Sequence, residues 1–179
     1  MEGWALRTTW ATLAAVAALA GGGPAAANAL PDSGEFACEG ASPGACNYTD
    51  PDNGLILRWP VDWPLRRLRI VTETGPQARA RQRDATRWIA IEYWPDDDAL
   101  PRAPLLSVAV LRRSDWLRLS GHPATADGVE VATGGDHVAI ATVPPVNPYP
   151  AGSRDAEIYE ALAPDFAQIS RVVRFPARR

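Results

Sequence analysis

Few side chains in this 179-residue sequence are of a type that does chemistry. There are two histidines, His122 and His137, and neither lies in a zinc motif such as His-Glu-x-x-His. His122, in Gly121-His122-Pro123, reads as a surface-loop residue, and His137 as a packed or half-exposed residue at a strand start. None of Ser107, Ser114, Ser120, Ser153 and Ser170 sits in a Gly-x-Ser-x-Gly elbow. The densest acidic cluster is Asp96-Asp97-Asp98. Glycoside hydrolysis needs two carboxyls roughly 5–9.5 Å apart across a cleft. Neighbours in one loop rarely provide that, although Glu92 or Asp62 could supply the second group. Asp50-Pro51-Asp52-Asn53-Gly54 superficially resembles a calcium loop. Counted from Asp50, however, glycine falls at the fifth position and Val61 at the twelfth, where an EF-hand needs glycine sixth and glutamate twelfth. The segment reads instead as a hairpin turn. No catalytic, metal or cofactor site is assigned.

All 18 basic residues are arginine. Without lysine, P-loop phosphate binding, Schiff-base catalysis and Ser-x-x-Lys nucleophiles are excluded. A net charge of −3 gives no electrostatic argument for nucleic acid or an anionic membrane.

Binding chemistry is better represented. Trp59, Trp63, Trp88, Trp94 and Trp116 lie beyond residue 29, three of them followed by proline. Tryptophan and arginine are enriched at interface hot spots, and indole faces also stack on sugar rings. Core packing and Arg–Trp stacking account for most of these residues. Trp63, between two prolines, is the best candidate for an exposed aromatic, and Tyr149, in Pro144–Gly152, is the second. Arg66 and Arg67 complete the candidate binding set. Flanking prolines would hold such loops rigid and lower the entropic cost of binding.

Elements must position these groups. Leu55, Leu57 and Trp59 alternate with Ile56 and Arg58 as in a half-buried strand. Leu65–Glu73 is a second strand candidate, and Gly75–Asp84 an exposed loop or short helix. Trp88–Trp94 alternates with Ile89, Ile91 and Tyr93 on one face, and Leu105–Leu111 has the composition of a central strand. Ser114 is placed to cap a short helical turn through Leu117. Val129–Ala132 and His137–Val143 flank a hairpin turn at Thr133–Asp136. Ser153 caps an amphipathic helix carrying Ile158, Leu162 and Phe166, with Pro164 kinking or restarting it. Arg171–Phe175 is a last strand candidate. The expected fold is α+β, a mainly antiparallel sheet of about seven strands with a C-terminal amphipathic helix.

The first 29 residues read as a cleavable signal. Arg7 lies in the leading segment, Ala11–Ala20 is apolar, Gly21–Pro24 breaks any helix, and Ala27-Asn28-Ala29 offers a cleavage site after Ala29. The apolar run is too short to cross a bilayer, so no transmembrane segment is expected in the mature chain. A periplasmic or secreted location follows. There Cys38 and Cys46, the only cysteines, are expected to form a disulfide. Closing this nine-residue loop would contribute about 2.5 kcal/mol. Residues 30–54 thus form a stapled N-terminal segment, and 55–179 a single α+β domain.

Tyr48-x-Asp50-Pro51-x-x-Gly54-Leu55-x-Leu57-x-Trp59-Pro60-x-x-Trp63 resembles the opening of small exported bacterial domains of the PsbP-like type. The resemblance covers about 16 residues. It implies an antiparallel sheet packed with helices and a non-catalytic accessory role. No site residues carry over from it.

The expectation is a non-enzymatic exported envelope protein that binds another protein or a peptidoglycan or glycan component, with an inhibitor or immunity-type role as one form of it. The alternative is a small periplasmic hydrolase acting on envelope glycans through dispersed carboxylates.

Overall fold

The computed structural model describes residues 35–38, 46–58, 60, 63–121 and 128–176, with the side chains of 35–38 and 65 left aside. The leader at 1–29, Trp59, Asp62 and His122 lie outside the described residues. Among the described residues, two antiparallel sheets with four helices make a mixed α+β fold.

The first sheet joins three strands from residues 35–58 to one from residues 173–174. Its strands are β1 (Glu35–Cys38), β2 (Cys46–Thr49), β3 (Ile56–Arg58) and β9 (Val173–Arg174), in that spatial order. The register sets Cys38 opposite Cys46, and Tyr48 opposite Leu57, which in turn faces Val173. The expected hairpin turn lies between β2 and β3. Asp50 Oδ1 accepts from the backbone N–H groups of Asp52 (3.0 Å) and Asn53 (3.2 Å). Gly54 takes the positive φ of +73° that closes the turn.

The second sheet holds β4 (Leu68–Thr74), β5 (Arg87–Tyr93), β6 (Ala103–Arg112), β8 (His137–Thr142) and β7 (Val129–Gly134), in that order. The alternation at 88–94 is a strand of this sheet, and the apolar run at 105–111 is its central strand, as its composition implies. Leu65–Arg67, expected to open a strand, instead forms a 3-10 turn after Pro64. The β7–β8 hairpin turns at Gly135-Asp136, with Gly135 at a φ of +63°.

Each face of this sheet has its own core. On the inner face, Ile89, Ile91, Val108 and Val110 pack with Tyr48, Leu57 and Val173 of the first sheet. The helices α3 (Arg154–Leu162) and α4 (Phe166–Val172) add Tyr159, Leu162 and Ile169 to the same core. On the outer face, α1 (Gly75–Arg81) and α2 (Arg113–Ser120) cover one end, where Ala78, Trp116 and Leu119 meet Ala109, Leu111 and Ile140.

Helix ends follow local chemistry. Ser153 caps α3 by accepting from the Ala156 N–H. Pro164 separates α3 from α4, and Asp165 with Gln168 forms a capping box for α4. Two expectations are corrected. Ser114 is not a cap, because α2 begins one residue earlier and Arg112 holds the cap position without a side-chain bond. Phe166 is exposed, since the break at Pro164 turns the first residue of α4 away from the stripe begun by Leu162. Among the described residues, no helix is long and apolar enough to cross a membrane.

Candidate functional site

Three of the four residues singled out as binding candidates, Trp63, Arg67 and Tyr149, are buried. Trp63 is 6 % exposed and Tyr149 5 % exposed, so neither is the open aromatic expected of it. The Tyr149 ring turns inward, onto Tyr93 and Tyr159. The three rings make edge contacts at 5.5–6.1 Å. The Tyr149 hydroxyl donates to the Pro101 carbonyl (2.9 Å), and that of Tyr159 to the Pro104 carbonyl. Arg66 is exposed, whereas Arg67 is buried.

Arg67 joins three elements. Its Nη1 donates to the Tyr93 hydroxyl (2.7 Å) and to Asp155 Oδ1 on α3 (3.4 Å), and its Nη2 pairs with Asp96. Tyr93 in turn donates to Asp155 (2.6 Å). Burial, and then the bond to Asp155, raise the Tyr93 hydroxyl above its ordinary value. Arg67 and Tyr149, chosen from the sequence, therefore do meet in one neighbourhood, through Tyr93. One of the three clustered aspartates, Asp96, reaches it as well. It is a brace, with its cation taken up by two carboxylates.

A second brace sits at the other end of β5. Arg87 pairs through Nε with the fully buried Asp50, approaches Asp52 at 3.5 Å and donates to the Tyr48 hydroxyl at 3.3 Å. It ties β5 to the β2–β3 turn, and hence one sheet to the other. His137 pairs with its neighbour Asp136 (2.9 Å). It lies opposite Arg112, while Tyr93 lies opposite Ala103, so the length of β6 separates them, about 30 Å. Among the described residues, no group of three His, Cys, Asp or Glu side chains could hold a metal ion.

The outer face of β5 is different in kind. Its outward positions carry Trp88, Ala90 and Glu92, and Trp94 continues the alternation just past the strand, held by its N–H to the Arg67 carbonyl (2.8 Å). Arginines lie over both indoles. Arg81 of α1 is 5.0 Å from the Trp88 ring centre, and Arg69 and Arg102 lie 5.2 and 3.6 Å from that of Trp94. The row Val71–Ala90–Ser107–Thr142 crosses the sheet between the indoles, with small side chains at its centre. The Trp94 Nε1 is buried and has no hydrogen-bond acceptor among the described residues.

No family model, no curated protein and no solved structure matches this chain.

The even-numbered residues of 88–94 were a legible signal for this face, because strand alternation puts both tryptophans and Glu92 on one side. Residues 69, 81 and 102, which supply the arginines, come from three other segments. Nothing in their own spacing connects them to the indoles.

Proposed function

We propose that this chain is an exported, non-enzymatic envelope protein that binds a protein or cell-wall component through the outer face of β5. The observation that carries this reading is Trp94 with Arg69 and Arg102 over its ring. Indoles and guanidinium groups are the side chains most enriched where binding energy concentrates. Both indoles are half-buried, and their flat faces suit a sugar ring or peptide backbone. Displacing Arg102 would also uncover the indole and its unpartnered N–H for a ligand acceptor. The PsbP-like resemblance of residues 48–63 agrees with an accessory role.

The hydrolase alternative has one feature in its favour, the meeting of Asp96 and Asp155 on Arg67. Acid–base division needs two carboxyls in contrasting environments. Asp96 is open to solvent and Asp155 largely buried, but both are already paired with one cation, which suits a structural role better.

The test is capture from envelope extract on the immobilised chain, together with peptidoglycan sedimentation, for the native protein and for Trp94→Ala and Arg102→Ala. Binding should fall about 30-fold with Trp94→Ala, the effect of losing a hot spot. Turnover of peptidoglycan fragments that disappears in Asp155→Asn but persists in Trp94→Ala would overturn the proposal.

A further inference from the structure

The second sheet has two outer strands, and they are not alike. The β7 ladder is irregular, its register shifting between Glu130 and Ala132, and β9 and α4 pack beside it. Gly134, at its end, lies under the Phe175 ring. These are the devices by which folded proteins blunt a sheet edge. β4 is more regular, although α1 packs against it and it carries Arg69 and Glu73. All seven of its residues pair with β5 in unbroken register, from Leu68↔Tyr93 to Thr74↔Arg87, and no described strand lies on its other side. It contains no proline, and Ile70, Val71 and Thr72 at its centre are half-exposed.

Its charges are arranged symmetrically. Arg69 and Glu73 stand two residues either side of Val71, and both belong to the outer face of the sheet, opposite Glu92 and Trp88. If a second β4 runs antiparallel with Val71 opposite Val71, Arg69 of each copy faces Glu73 of the other. The pairing forms two identical cross-strand ion pairs on one face. On the inner face it sets Ile70 against Thr72 and Leu68 against Thr74. A shift of one residue would lose both ion pairs and exchange the faces.

We infer that β4 is a homodimer interface, in which two copies of this chain join edge to edge about a two-fold axis at Val71 and form a continuous ten-stranded sheet. Such an interface is self-complementary, as a closed dimer requires. Both charges already have partners within the chain, which the pairing must share or displace. Arg81 grips both oxygens of Glu73 at 2.9–3.3 Å within each chain, and the carboxylate keeps a lone pair on Oε2 for a second donor. Arg69 donates to the Leu68 and Arg66 carbonyls, and Arg102 keeps its place on Trp94 if Arg69 reorients.

The experiment is sedimentation equilibrium across the micromolar range on the chain expressed with its leader, for the native sequence and for Arg69→Glu and Glu73→Arg. Circular dichroism and melting curves check that each variant folds. The native chain should give a dimer mass, and each variant alone a monomer mass, because like charges then face each other twice. An equimolar mixture of the two variants should regain the dimer, since two glutamates on one chain then meet two arginines on the other. A misfolded variant could not produce that rescue. A native chain that stays monomeric, a dimer that survives Arg69→Glu, or a native monomer that instead takes up an added β4 peptide of reversed charge pattern would each overturn the inference.

Discussion

The Arg87 guanidinium meets the Asp50 carboxylate with both residues almost wholly out of solvent, at 1 % and 0 % exposure. Arg87 occupies an inward position of β5 that the alternation of its neighbours would give to an apolar residue. Asp50 also shapes the β2–β3 turn through its bonds to Asp52 and Asn53. One carboxylate thus sets a local turn and neutralises the cation that joins the sheets.

Asp50→Asn keeps an acceptor for the turn and removes the charge. It should cost about 3 kcal/mol, because it removes the buried counter-charge of a buried ion pair. Urea denaturation at neutral pH measures this. Adding Arg87→Met should restore most of the loss, since an apolar side chain in that place needs no counter-charge.

All four tyrosines, Tyr48, Tyr93, Tyr149 and Tyr159, are buried. Burial is the largest cause in each case, and each hydroxyl is held above the ordinary value of 10.0. A group whose folded value is raised binds its proton more tightly when folded. Its contribution is therefore complete below about pH 10 and declines as pH rises further. Tyrosinate absorbance should stay near zero in the native protein past pH 10, then appear for all four rings as one alkaline unfolding step. Early titration of one ring would show that it is open to solvent.

Phe175 leaves no space above Gly134. A Cβ there would lie 2.2 and 2.3 Å from Cβ and Cγ of Phe175. Gly134→Ala should destabilise by about 1–3 kcal/mol, the usual cost of overpacking. Gly134→Ala combined with Phe175→Ala should be less destabilised than the sum of the two, and thermal melts of the four proteins measure that coupling.

The backbone register sets Cys38 opposite Cys46, which supports the proposed disulfide. The purified chain should show no reactive thiol even in denaturant until reductant is added. Reduction should then lower stability by about 2.5 kcal/mol, from freeing a nine-residue loop. A count of two thiols in the unreduced, denatured protein would exclude the bridge.

Local signals in the sequence were dependable where the physics is local. The 88–94 alternation, the Asp50–Gly54 turn, the Ser153 cap and the Pro164 break each depend on neighbours within a few residues, and each is seen in the structure. Trp63 and Tyr149 show where this stops. Proline on both sides implies a rigid loop but says nothing of which way the aromatic points. Tyr149 turns inward because Tyr93 and Tyr159, from a strand and a helix, form a receiving surface. The Arg87–Asp50 pair was hidden for the same reason. A lone arginine beside a strand reads as solvated until its partner, contributed by another sheet, is known.

The first sheet has a consequence for timing. β3 pairs with β2 on one side and, at Leu57↔Val173, with β9 on the other, so its second neighbour lies more than a hundred residues downstream. A chain emerging from its N-terminus cannot finish this sheet until nearly its whole length is out. Until then the inner core lacks Ile169 and Val173 as well. The first sheet of such a polypeptide stays open for as long as its tail is held back. For a protein proposed to cross a membrane before it folds, the position of its last strand acts as a delay.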